Sequence, residues 1–334
     1  MPKRRIDQIR DASKVIKIAG GNDGSPISEM IPVGDKMYVV KERSIHSIML
    51  ADSVDPERTN ANLADTTQKV FGIGASSPLV GRTLLTCRGL FKKTFLGHDF
   101  DESRGLALSL SLLRNFVALE EIHDNFVSAE AKATAEWEAL DEATRVTALP
   151  AVGNAAAQCE AFAQKLGHTL GDLEEVAKLF YPDALKTKWI DSLCKVTAKL
   201  HGEDSAVCKY ISEVRPGLLF LSDMRNMIEH PKPDWRIEIS DYRRLPSGEI
   251  AVPELKVFRP DHSTQNAPLV PFMRKAADDL LNVTEGLVAT ICAARVGKFA
   301  GMPIAVIEVT PSVRRPNVSF CYGVFIGGDF RPIG

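Results

Sequence analysis

The sequence predicts a mainly α, α+β protein, in which a helical core is preceded by a mixed region and followed by β structure. Three observations support this fold class. Apolar residues recur at helical spacing over most of residues 101–300, where long stretches contain little Gly or Pro. Two other segments alternate apolar and polar residues, as half-buried strands do. The composition, 45% hydrophobic and 25% charged over 334 residues, is that of a globular protein.

Residues 1–100 form the mixed N-terminal region, to which no role can be given from sequence. Ile6–Ala19 predicts a basic amphipathic helix, Met37–Val40 a short strand and Glu42–Asp52 a second helix. The glycine-rich stretches Gly20–Pro26 and Phe71–Pro78 lack the lysine and spacing of a phosphate-binding loop. We therefore interpret both as structural loops, and a metal- or nucleotide-dependent enzyme built on residues 20–80 has little support.

Residues 101–300 form the predicted helical core. Gly167 is interpreted as a helix stop and Pro216 as a residue that splits or starts a helix. The helices predicted from apolar periodicity are Leu106–Leu140, Ala155–Leu166, Gly171–Tyr181, Lys186–His201, Val207–Glu229 and Val270–Ala294.

Two β-hairpins are predicted in addition to the helices. The first is inserted into the core at residues 235–258, with strands Trp235–Ser240 and Ile250–Phe258. The second forms a C-terminal β extension, residues 301–334, with strands Ile304–Thr310 and Val318–Ile326 around a turn at Pro311–Pro316.

Charge and cysteine content favour a cytoplasmic protein without a membrane segment. The formal net charge is −2, which argues against a chain coated in positive charge but leaves room for a local basic site. No apolar run reaches the roughly 18–20 residues of a membrane helix. The basic start is not followed by the apolar segment of a secretion signal. The six cysteines are scattered without a C-x-x-C pair, which is typical of free thiols in a reducing compartment.

One motif stands apart from the rest of the chain. Arg225, Asn226 and His230 form the pattern R-N-x-x-x-H at the end of a predicted helix. Chance would give on the order of 0.01 copies of this full pattern in such a chain. On an ideal helix Arg225 and His230 would lie about 140° apart. Pro231 disfavours helical angles at His230, so we expect the helix to end there and the imidazole to turn back toward Arg225.

These residue types suit the cleavage of RNA by its own 2′-hydroxyl. The reaction needs one proton removed, another donated, and positive charge at the phosphorane. A histidine can transfer protons near neutral pH, and an arginine presents a planar fork that matches two phosphate oxygens. Asn226 can hydrogen-bond the phosphate or hold its neighbours. The competing interpretation is structural, with Arg225 paired to Asp223 or Glu229 and His230 capping the helix.

The motif resembles that of the HEPN family, the higher eukaryotes and prokaryotes nucleotide-binding domains, over at most residues 101–295. The resemblance implies an antiparallel helical bundle that dimerises and brings two motifs into one cleft. It also implies a metal-independent endoribonuclease with no cofactor, which leaves 2′,3′-cyclic phosphate and 5′-hydroxyl ends. RNA and a second copy of the chain are the expected partners. The resemblance also implies a role as a toxin or anti-phage effector, with an antitoxin or defence-system partner.

Further residues are candidates for supporting roles. The family suggests a polar contribution from an early bundle helix, for which a solvated helix face is the simpler explanation. A basic rim for RNA could follow the motif, although Glu238, Asp241 and Glu249 dilute its charge. The supporting candidates are Glu120, Glu121, Asp124 and Glu229, and the RNA-binding candidates are Lys232, Arg236, Arg243 and Arg244. The alternative function is a non-catalytic helical module that binds RNA, a nucleotide or a protein partner.

Overall fold

The structure, a computed structural model, describes residues 4–12, 18, 24–185, 188–260, 264–296, 298–299, 301–309 and 317–333. The helices are α1 (Arg5–Asp11), α2 (Ala51–Val54), α3 (Pro78–Val80), α4 (Thr86–Leu90), α5 (Lys93–Leu96), α6 (Glu102–Glu138), α7 (Glu142–Thr147), α8 (Ala155–Phe180), α9 (Trp189–His201), α10 (Ala206–Glu229) and α11 (Leu269–Arg295). The strands are β1 (Ile27–Val33), β2 (Lys36–Lys41), β3 (Ile45–Met49), β4 (Thr66–Phe71), β5 (Arg236–Ser240), β6 (Arg243–Arg244), β7 (Ile250–Ala251), β8 (Glu254–Phe258), β9 (Thr264–Pro268), β10 (Lys298–Phe299), β11 (Met302–Glu308), β12 (Phe320–Ile326) and β13 (Asp329–Ile333). The fold is therefore α+β, with several small antiparallel sheets.

The chain divides into two compact units. The first contains residues 1–110 together with 295–334, and the second contains residues 111–294. The C-terminal strands, which the sequence analysis set apart as residues 301–334, thus share a unit with the N-terminal region. None of the helices within the described residues is both long and apolar enough to cross a membrane.

The first unit contains an antiparallel sheet in the order β1-β2-β3-β4. The predicted helix over Glu42–Asp52 is wrong, because Ile45–Met49 is strand β3 and pairs with β2 and β4. Four of its five residues are buried, the polar His46 and Ser47 among them, so apolar and polar positions do not alternate along it. A strand without this alternation cannot be distinguished from a helix by periodicity. Of the predicted helix over Ile6–Ala19, the part up to Asp11 is helical in α1, whereas Ala12 is extended and Ile18 is not helical. Residues 13–17 and 19 of that prediction lie outside the described residues.

The glycine-rich loop Phe71–Pro78 lies against the turn between β2 and β3. The amides of Ala75 and Ser76 donate to the carbonyls of Lys41 and Glu42, at 2.8 and 3.0 Å. A β-carbon on Gly74 would lie 2.2 Å from the Lys41 carbonyl oxygen, closer than any side-chain atom can come. Glycine is therefore required at this position by a close backbone approach, in keeping with a structural role for the loop.

The second sheet of this unit has the order β10-β11-β12-β13. The predicted C-terminal hairpin is present as the antiparallel pair β11 and β12, while its turn at Pro311–Pro316 lies outside the described residues. The hydroxyl of buried Tyr322 donates to the Leu90 carbonyl at 2.7 Å, and its ring packs against Phe95 with centroids 4.4 Å apart. These contacts fix α4 and α5 on the sheet.

The second unit consists mainly of α8, α9, α10, most of α11 and the part of α6 after Leu110. Two predicted breaks are absent. Helix α8 continues through Gly167, and α10 continues through Pro216. A proline inside a helix costs roughly 3 kcal/mol. Burial of the apolar face of α10, which includes Ile211 and Leu218, offsets this cost.

The inserted hairpin is present and larger than predicted. Strands β5 and β8 pair antiparallel, β9 adds a third strand, and β6 and β7 form a small separate ladder. The Tyr242 hydroxyl lies 2.7 Å from Thr134 Oγ1 on α6, and the Asp241 carboxylate accepts from the amides of Val152 and Gly153. These bonds attach the insertion to α6 and to the loop that precedes α8.

Candidate functional site

The R-N-x-x-x-H motif lies at the C-terminal end of α10. Glu229 is the last helical residue, and His230 leaves the helix with φ −131° and ψ 60°. The His230 amide still donates to the Asn226 carbonyl at 2.8 Å. Pro231 follows directly, and the helix ends where the proline predicts. The side chains of Asn226 and His230 are both exposed.

Arg225 is fixed through one edge of its guanidinium. Its Nε donates to both carboxylate oxygens of Glu229, at 2.9 and 3.0 Å. Gln164 on α8 donates to the same carboxylate at 3.2 Å. The hydrogen bond from Arg225 lowers the pKa of Glu229, and the reverse effect raises the pKa of Arg225. Of the two partners that the sequence offered Arg225, the structure therefore selects Glu229.

The terminal nitrogens of Arg225 remain available. Neither Nη1 nor Nη2 hydrogen-bonds to a described residue, and the side chain is 47% exposed. Asp223 instead faces Arg259, and burial raises the pKa of its carboxyl. No hydrogen bond within the described residues joins His230 to Arg225, so the expected turn of the imidazole toward the guanidinium is not made as a direct contact. One copy of the site thus presents a fixed cation, an imidazole and an amide to solvent.

Glu120 and Asp124 belong to a different cluster of the same unit. Arg274 on α11 lies 3.7 Å from Glu120 and 3.4 Å from Asp124. Nδ1 of buried His123 lies 2.9 Å from Asp124 Oδ1 and 3.1 Å from Arg274 Nη2. Burial raises the pKa of Glu120, an effect that Arg274 opposes. Glu121 is exposed on the same helix.

No hydrogen bond or ion pair between described residues connects this cluster with Arg225 or His230. The sequence analysis found neither His123 nor Arg274 as a partner, because 151 residues separate them and neither lies in a motif. It also missed Gln164, for which no pattern in the sequence gave a signal.

The four predicted RNA-binding residues all lie on or near the inserted strands, and most already have partners. Arg236 contacts Glu238 at 2.7 Å and Arg243 contacts Glu254 at 2.6 Å. Arg244 donates to backbone carbonyls of α7. The Lys232 ammonium lies 5.5 Å from the centroid of the Trp235 ring and forms no ion pair with a described residue. The positive charge of this rim is thus partly neutralised.

Within the described residues, no three His, Cys, Asp or Glu side chains converge as they would around a metal ion. Comparison of the chain with family models, with curated proteins and with solved structures found no match.

Glu120→Gln tests whether the half-buried carboxylate of Glu120 destabilises the second cluster. A raised pKa in the folded state means that ionisation of Glu120 costs stability, and that stability falls as the pH rises through that pKa. We expect Glu120→Gln to melt about 1 °C higher than the wild type at pH 7, a small gain because solvent screens a side chain that is 43% exposed, and one that disappears near pH 4. Thermal melts across this range provide the measurement, with Glu121→Gln, which removes an exposed carboxylate of the same helix, as the control. A lower melting temperature at pH 7 would mean that the ion pair with Arg274 outweighs burial.

Proposed function

We propose that this protein is a metal-independent endoribonuclease whose catalytic residues are Arg225 and His230. The observation that carries the proposal is the fixed Arg225 side chain. Glu229 holds its Nε, and neither Nη group of this half-exposed side chain hydrogen-bonds to a described residue. Two parallel N–H donors at a fixed position match two oxygens of a phosphate.

Each residue then has a definite task. Arg225 stabilises the charge of the phosphorane, and His230 removes or donates a proton. Asn226, one residue along and equally exposed, is a donor for a phosphate oxygen. Glu229 and Gln164 are positioning residues because they contact Arg225 or its carboxylate partner.

A dimer would supply what a single copy lacks. The reaction needs a base and an acid, whereas one copy presents a single exposed imidazole beside Arg225. A two-fold interface that brings the two α10 ends together would provide two histidines and two arginines, as the HEPN resemblance implies. Light scattering at micromolar concentration should therefore give twice the chain mass of 36.6 kDa. In the setting suggested by the resemblance, such cleavage would arrest growth as a toxin or defence response.

The alternative is a helical binding module in which the motif is only a clasp. This interpretation is favoured by the bonds of Glu229, which accepts from Arg225 on α10 and from Gln164 on α8 and so ties the two helices together. A clasp needs no free Nη groups and no histidine. It predicts that substitutions in the motif lower the stability of the protein and leave RNA binding and cleavage unchanged.

Two substitutions at one residue distinguish the proposals. Glu229→Gln keeps an oxygen that can accept from Arg225 and removes a negative charge beside the phosphate, so RNA should bind several-fold more tightly. Glu229→Ala releases the guanidinium and should reduce cleavage about tenfold through lost positioning. Cleavage of a single-stranded RNA pool in EDTA and RNA binding by filter retention are measured for both, with Glu213→Gln, at an exposed position of the same helix far from the motif, as the matched control. If both variants instead lower the melting temperature and leave RNA cleavage and binding unchanged, the motif is a structural clasp.

A further inference from the structure

A cavity of about 550 Å³ lies in the first unit. It is bounded by α4, α5 and the C-terminal sheet. Its apolar wall consists of Leu85, Phe95, Val309, Val318, Phe320 and Ile333. Pockets of roughly 300–1,000 Å³ with apolar walls and a few polar groups are the usual form of a small-molecule site.

The polar part of the cavity carries an excess of positive charge. Arg88 and Lys92 line it, and Glu29 is the single carboxylate among the lining residues. Both cations share Glu102, whose Oε1 lies 3.0 Å from Arg88 Nη1 and 3.6 Å from Lys92 Nζ. Glu102 itself does not line the cavity. The lining therefore has two positive charges and one negative charge.

The two cations are incompletely satisfied. Arg88 Nε is buried without a hydrogen-bond partner, since Glu29 Oε1 stands 3.8 Å away, too far for a hydrogen bond. Burial and the neighbouring Arg88 both lower the pKa of Lys92, so its charged form lacks full compensation. An anionic group placed here would satisfy the free donor and neutralise the excess charge.

We propose that this cavity binds a small aromatic monoanion. Its acidic group would contact Arg88 and Lys92, and its rings would lie against the apolar wall that includes Phe95 and Phe320. The site is independent of the proposed ribonuclease function, because all its residues belong to the first unit.

Gly89 offers a way to close the cavity without disturbing the fold. It lies on α4 among the lining residues, and a β-carbon there would meet no atom within 4 Å. Gly89→Leu should therefore fill the space. Gly217 is the matched control, since it is also a helical glycine with open space around it but lies on α10.

The test uses two fluorescent probes that share one ring system. 8-Anilinonaphthalene-1-sulfonate carries an anionic group, and N-phenyl-1-naphthylamine lacks it. We expect the full-length protein to bind one molecule of either probe. Lys92→Met and Arg88→Met should each weaken binding of the sulfonate about tenfold and leave binding of the neutral probe unchanged. Lys93→Met, one residue along and outside the cavity, should change the binding of neither probe. Gly89→Leu should abolish the binding of both probes, whereas Gly217→Leu should leave it unchanged.

Three results would overturn the proposal. The first is saturable binding of neither probe to the wild type. The second is found if Lys92→Met and Arg88→Met, each shown to be folded by circular dichroism, weaken the binding of both probes equally or do not weaken the binding of the sulfonate. The third is undiminished sulfonate binding in Gly89→Leu, which would place the probe elsewhere.

Discussion

Replacing His230 with alanine is expected to reduce RNA cleavage by roughly 10²–10⁴-fold, because the proton-transfer group is lost. Arg225→Ala should cost a comparable factor by removing charge from the transition state. The double variant should be little worse than either single one, since residues that act together on one phosphate are not additive. Single-turnover cleavage rates of the three variants provide the measurement.

A catalytic role also predicts that neither substitution changes the stability of the protein much. His230 is exposed and caps the helix end only through its backbone amide, which alanine retains. Arg225 makes one half-exposed ion pair, and such pairs contribute about 0–1 kcal/mol. Both variants should therefore melt close to the wild type. A marked fall in melting temperature with unchanged cleavage would contradict a catalytic role.

Gly74→Ala is expected to lower the free energy of unfolding of the first unit by about 2–4 kcal/mol. The added methyl would meet the carbonyl of Lys41 and the amide of Ser44, at 2.2 and 2.5 Å. Both are backbone atoms that cannot swing aside as a side chain could. The loop must therefore move away and lose its hydrogen bonds to Lys41 and Glu42.

Gly72→Ala is the matched control for this prediction. It lies two residues earlier in the same loop, and a β-carbon there would meet nothing within 4 Å. We expect Gly74→Ala to lower the melting temperature by about 5–10 °C and Gly72→Ala to change it by less than about 2 °C. Equal melting temperatures for the two variants would show that the close approach at Gly74 is not present in solution.

The sequence predicted the long helices well because their apolar faces repeat at the helical period. It failed where a local residue preference was outweighed by packing. Gly167 was expected to end a helix, but α8 continues because the residues on both sides of it are buried, Leu166 and Thr169 among them. Pro216 is likewise accommodated within α10. Strand β3 was missed because its pairing with β2 and β4 is a non-local property.

The candidate site was predictable in part. Pro231 correctly predicted where α10 ends, since its effect on His230 is local. The contacts of Glu120 and Asp124 with Arg274 depend on how α6 and α11 pack, which no spacing within either helix encodes. The same holds for Gln164, which reaches Glu229 across 65 residues of chain.

The most direct test of the proposed ribonuclease is the dependence of cleavage on the 2′-hydroxyl. The purified protein is incubated in EDTA with a pool of structured and single-stranded RNAs, and the product ends are mapped. The preferred RNA is then resynthesised with a single 2′-deoxy nucleotide at the cleaved position. The proposal predicts 2′,3′-cyclic phosphate and 5′-hydroxyl ends, no cleavage at the deoxy position, and no cleavage by His230→Ala. An RNA pool left intact by the wild type, or products with 5′-phosphate ends, would contradict it.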